Sequence, residues 1–115
     1  MIIKSYVISN GNAEYEVWTT NFRIYPDGLV INTGLSENFI IDYVDIPAFK
    51  KGLSEISNDV PEIIVECSKD SDCIIRMDSN GTDVNIILDD GVIIASFYFS
   101  EIDEIIEVLN MVESL

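Results

Sequence analysis

The chain has 115 residues, 48% of them hydrophobic and eleven of them aromatic, enough for one buried core of ordinary domain size without metal or disulfide staples. Twenty-one acids against six bases leave a net charge of −15, a field that repels nucleic acid and anionic membranes and attracts basic protein surfaces or cations. No run approaches the ~18–20 apolar residues of a membrane span, and the absence of histidine removes the commonest general base.

Alternation predicts a first strand over 2–8, with Ile2, Tyr6 and Ile8 on one face and Ile3 and Val7 on the other. Met1-Ile-Ile-Lys-Ser-Tyr shows no basic segment leading into an apolar run and a small-residue cleavage site. No signal peptide is therefore expected, and the expected location is cytoplasmic. Asn10-Gly11-Asn12 reads as a turn before a strand over 13–19, in which Tyr15 and Val17 oppose Glu14, Glu16 and Trp18. A segment over 22–25 leads into the proline-led turn Pro26-Asp27-Gly28, and the chain returns through 29–32. After Gly34 a strand is expected over 39–44, with Phe39, Ile41 and Tyr43 on one face. Asp45 is the expected N-cap of a first helix, with Pro47 in its first turn and Ile46, Phe49, Leu53 and Ile56 at helical spacing. Gly52 weakens this helix by about 1 kcal/mol relative to Ala, so it needs a sheet behind it. Ser57-Asn58-Asp59 closes it.

The second half repeats the scheme. Strands are expected over 62–67, 73–77, 84–88 and 92–99, joined by the 68–72 loop, the Asn80-Gly81 turn and Asp89-Asp90-Gly91. Ser100 is the expected cap of a last helix, whose buried stripe is Ile102, Ile105, Ile106, Leu109 and Val112. A shift of 56 residues lays Ile46, Phe49, Leu53 and Ile56 over Ile102, Ile105, Leu109 and Val112. The expected architecture is one α+β domain over 1–115. It is a mainly antiparallel, curved sheet of about eight strands in a ββββα-ββββα order, with two helices packed on one side. Whether 1–58 and 61–115 are two degenerate halves of a duplication stays open, since few other identities match.

Little in the chain points to catalysis. No Gly-rich phosphate loop or nucleophile elbow is present, so no catalytic residue and no cofactor are expected. Cys67 and Cys73, with five residues between them, lack the four-ligand Cys/His set of structural zinc. A disulfide is geometrically possible across a hairpin, but a cytoplasmic compartment keeps both thiols reduced. Asp78-Ser-Asn-Gly-Thr-Asp83 has its glycine fourth, where a calcium loop of the EF-hand type has it sixth, and its flanks read as strands. It is read as a hairpin turn, and no metal site is expected.

Binding is the better-supported role. After Arg76 there are nine acids and no Lys or Arg. The candidate partner-binding residues are Asp78, Asp83, Asp89, Asp90, Asp103, Glu104 and Glu107. Asp103 and Glu104, with Glu101, also sit where acids stabilise a helix N-terminus by ~0.3–1 kcal/mol each. An alternative partner face is Glu14, Glu16 and Trp18, where an aromatic among carboxylates would suit a basic partner. Trp18 is core instead if the sheet is covered on both sides there.

The whole-chain pattern resembles small acidic bacterial immunity proteins that neutralise polymorphic or contact-dependent toxins, including those paired with WapI-type toxins. The resemblance rests on the order of strands, the mid-chain helix Ile46-Pro-Ala-Phe-Lys-Lys-Gly-Leu, the acidic turn with Gly91, and the closing Phe97-Tyr-Phe-Ser-Glu-Ile. It implies an inhibitor without catalytic residues that docks on a toxin, often a nuclease with a basic cleft. A phage anti-defence inhibitor of an anti-CRISPR or anti-restriction kind, mimicking DNA with its carboxylates, is the alternative. A structural or assembly subunit is a third. The expected partner is a basic protein, a toxin or defence nuclease. Direct contact with nucleic acid or membrane is not expected, and the expected state is a monomer or weak homodimer.

Overall fold

The alternating segments of the first half form an antiparallel meander in the computed structural model, which describes residues 4–10, 18–32, 40–68, 72–88 and 90–115. Its strands are β1 (Lys4–Asn10), β2 (Trp18–Tyr25), β3 (Gly28–Asn32) and the two-residue β4 (Ile40–Ile41), hydrogen-bonded in chain order. The expected strand ends at 2–3, 13–17 and 39 lie outside the described residues. Cross-strand pairs Phe22↔Ile31, Ile24↔Leu29 and Leu29↔Ile41 place five buried apolar side chains on one face.

The strand expected over 39–44 is cut short for a local reason. The Asp42 carboxylate accepts the Val44 N–H at 3.1 Å, and this cap bends the chain into a 3-10 turn over Tyr43–Asp45. Helix α1 (Ile46–Glu55) follows at once, with proline in its first turn. Asp45 does stand at the N-cap position, but its carboxylate caps no N–H of the helix. It turns to Ser68 instead, accepting the Ser68 N–H at 3.0 and 3.1 Å and the Ser68 hydroxyl at 3.0 Å.

The second meander comprises β5 (Glu62–Val65), β6 (Cys73–Met77), β7 (Asp83–Leu88) and β8 (Ile93–Tyr98), again in chain order. Asn80-Gly81 makes the β6–β7 turn, with Gly81 at φ 71°, a conformation open to glycine at little strain. The register slips between Ile86 and Ile87, which pair with Ala95 and Ile93. The extra residue, Ile94, is turned into the core. A 3-10 turn over Phe99–Glu101 then leads into α2 (Ile102–Glu113). Ser100 lies inside that turn rather than capping the helix. Glu101 supplies the stabilising contact, its carboxylate accepting the Tyr98 N–H at 2.9 Å. A longer acid at the third position can reach back to the chain entry.

The fold is thus α+β in a ββββα-ββββα order. The eight strands are divided between two open antiparallel sheets of four, not joined in a single sheet. Between β4 and β5 the chain passes through the Tyr43–Asp45 turn and α1, and β5 begins the second sheet. The two 3-10 turns are offset by 56 residues, as are the starts of the two helices. A buried acid, Asp45 or Glu101, closes each turn. The strands do not repeat side chain for side chain: Leu29 points into the core, whereas its counterpart at this offset, Asn85, is half-buried on the opposite face.

One hydrophobic cluster takes in the inward residues of both sheets and the stripes of both helices, from Phe22 to Val112. Gly52 sets the approach of α1 to the second sheet. A Cβ there would lie 2.7 Å from Ile75 Cδ1 and 3.4 Å from Val65 Cγ2. Ile75 is fully buried, so its methyl has little room to yield. Gly52→Val should therefore destabilise the protein by about 1–3 kcal/mol in urea unfolding, although valine is the better helix former in isolation. An unchanged or raised midpoint would show that helix and sheet are not in close contact there.

Candidate functional site

The candidate acids fall into two places. Asp78 and Asp83 bracket the β6–β7 turn, where the Asp78 N–H donates to the Asp83 carbonyl at 2.9 Å. Asp78 is used by its own loop. Its carboxylate accepts the Thr82 N–H at 2.9 Å, the Asp83 N–H at 3.1 Å and the Thr82 hydroxyl at 3.3 Å. The Asp83 amide first, then the Thr82 groups, hold this carboxyl below the ordinary carboxylate range. Asp83 is half-buried opposite Tyr98 in the ladder. Asp90 is exposed in the β7–β8 turn and accepts the Val92 N–H at 3.0 Å. Asp103, Glu104 and Glu107 are exposed along α2, and Asp103 borders a shallow groove of ≈ 320 Å³ floored by Leu53, Ile56, Phe99 and Ile106.

Asp89, Glu14 and Glu16 lie outside the described residues. Of Trp18 only the backbone is described, paired with Asn10. Among the described residues no three Cys, Asp or Glu side chains converge as a metal-binding group would. Cys67 and Cys73 carry free thiols, Cys67 Sγ donating to Cys73 Sγ at 3.6 Å. Burial pushes both thiols up from their ordinary range, which leaves little thiolate for nucleophilic chemistry.

A cleft of ≈ 550 Å³ opens between β1, β2, the start of α1 and the end of α2, with Ile24, Pro26, Ile46 and Val112 in its lining. Its polar groups are engaged elsewhere: the Tyr43 hydroxyl donates to the Tyr25 carbonyl, and Glu113 pairs with Lys50.

The outward face of the second sheet holds a feature absent from the sequence reading. The register aligns Ile64↔Ile74, Ile74↔Ile87 and Ile87↔Ile93 in one row across all four strands. Next to it runs Glu62, Arg76, Asn85 and Ser96, where Arg76 Nε donates to Glu62 Oε2 at 3.0 Å. Alternation within each strand hints at these residues, but only the pairing register assembles them into a row.

Comparison of the chain with known protein families, curated proteins and solved structures finds no match.

The role of Asp78 has a pH signature. A carboxyl depressed in the folded state adds stability that is complete above its unfolded pKa and is lost as pH falls through the lower, folded value. The melting-temperature advantage of the native protein over Asp78→Asn should thus be full at neutral pH and shrink once pH drops below about 4. An advantage independent of pH would mean that the charge of Asp78 plays no part in holding the turn.

Proposed function

We propose that this protein is a non-catalytic, acidic inhibitor that docks on a basic protein surface and blocks it. The observation that carries this reading is the nine acids and no bases after Arg76. The exposure of Asp90, Asp103, Glu104 and Glu107 supports it. The apolar stripe of α2 is already taken up by the core, so the free side of that helix is carboxylate-rich. Such a field steers a cationic partner and raises its association rate. The resemblance to bacterial immunity proteins makes a nuclease-like toxin the partner class of choice, met in the cytoplasm.

Binding kinetics test the reading. A basic partner recovered on the immobilised protein should associate quickly at low salt and slow steeply as salt is added, with dissociation changing less. Asp90→Lys combined with Glu104→Lys and Glu107→Lys should cut the association rate by about tenfold or more. Exposed charges such as these contribute little to folding, so the melting temperature should hold. A salt-independent association rate, or a triple variant that associates like the native protein, would contradict docking by charge.

A further inference from the structure

We propose that the outward face of the second sheet is the docking face, and that the isoleucine row Ile64–Ile74–Ile87–Ile93 receives the apolar side of a basic amphipathic helix of the partner. This rests on the acidic-inhibitor reading above and adds to it the source of affinity, which charge alone supplies poorly.

The row stands apart from the fold's own core. The inward side chains of the same strands, Val65, Cys73, Ile75, Met77, Val84, Ile86, Ala95 and Phe97, all belong to the common core, whereas none of the four row residues does. Ile87 is 7% exposed and Ile74 half-buried, shielded by their neighbours in the two central strands. Cross-strand pairing of β-branched residues stabilises a sheet and accounts for those two. It accounts less well for the ends of the row, where Ile64 is 64% and Ile93 43% exposed. These lie in the outer strands β5 and β8, positions that proteins commonly protect with charge.

The surroundings select the occupant. Glu66 and Asp72 are exposed and continue the alternation of Ile64 and Ile74 by one step, and Asp90 lies in the turn at that same end of the sheet. On the other flank Arg76, the one base on this face among the described residues, is bonded to Glu62. Asn85 and Ser96 complete that flank, with Asp78 and Asp83 one step beyond. An apolar strip inside an acidic rim matches an apolar ridge between cations. Three inter-strand steps make the strip about 14 Å long, the length of about ten residues of α-helix. A second copy of this chain fits poorly, because like faces would press acidic rims together between molecules of charge −15.

The test uses two synthetic peptides of identical lysine and leucine content, one an amphipathic helix and the other scrambled to abolish its apolar side. At physiological salt the amphipathic peptide should bind the native protein about tenfold tighter than the scrambled one. Ile64→Thr with Ile93→Thr, which keeps β-branching, should erase that gap. Val44→Thr, at an exposed valine before α1, should keep it. Circular dichroism checks the fold of the double variant, and if it is lost the single edge-strand change Ile64→Thr decides. Equal binding of both peptides by the native protein, or a gap that survives the threonine changes, overturns the docking face and leaves the acidic-inhibitor reading standing. Failure of both peptides to bind even at low salt removes that reading and this proposal with it. A native dimer that the threonine changes dissolve, seen by sedimentation, would assign the face to a second copy and overturn the proposal.

Discussion

The seat of α1 on the second sheet is the contact on which the rest of the structure depends. The helix emerges directly from the first meander, yet its buried face rests on β5 and β6, where the missing side chain of Gly52 lets backbone approach Ile75 and Val65. Helix α2 then lies along α1 and packs back against β1. Lys50 reaches across to Asn110 at 2.7 Å and pairs with Glu113. First sheet, first helix, second sheet and second helix therefore close a loop of contacts around one core. Buried Asp45 tightens it, tying the start of α1 to the residues just beyond β5 through Ser68. Interlocking of this kind gives two small open sheets a shared interior that neither would have alone.

That arrangement fixes which surfaces remain free. The inner face of the second sheet is committed to the common core, while Ile64 and Ile93 on its outer face are exposed to solvent. The carboxylates are sorted by the same geometry. Asp45 and Glu101, both buried, hold the two helix entries, and Asp78 holds a turn. Exposed Asp90 likewise accepts an amide of its own turn and Glu113 pairs with Lys50, while the other exposed acids, among them Glu107 on α2 and Glu66 and Asp72 at the sheet's rim, stand on the surface. A high negative charge therefore persists on the surface after the structural carboxylates are set aside, and the proposed docking rests on this remainder.

Much of this was legible in the sequence, and the gaps have physical causes. Period-two alternation and the Asn80-Gly81 turn gave the strands, because side-chain direction in a strand depends only on local geometry. The stripes Ile46–Ile56 and Ile102–Val112 gave both helices for the same reason. Pairing is not local, so the division into two sheets and the isoleucine row stayed hidden until register was known. Because a 3-10 turn precedes each helix, Asp45 stands at the expected N-cap position without capping through its side chain, and Ser100 falls inside the turn, one residue before the N-cap. In those turns Asp42 and Glu101 make the local contacts, and Asp45 is released to a partner 23 residues away. The candidate acids were found by charge count, which cannot tell a turn-building carboxylate such as Asp78 from a free one such as Glu107.

The two faces of the second sheet divide their work, the inner holding the fold and the outer, as proposed, receiving a partner. Equilibrium urea unfolding of Ile75→Ala and Ile64→Ala measures that division directly. Truncating Ile75, fully buried in β6, should cost about 3 kcal/mol through lost burial and the cavity left behind. Truncating Ile64, mostly exposed in β5, should cost less than about 1 kcal/mol. Losses of equal size would contradict the account, because the isoleucine row would then be part of what holds the protein together.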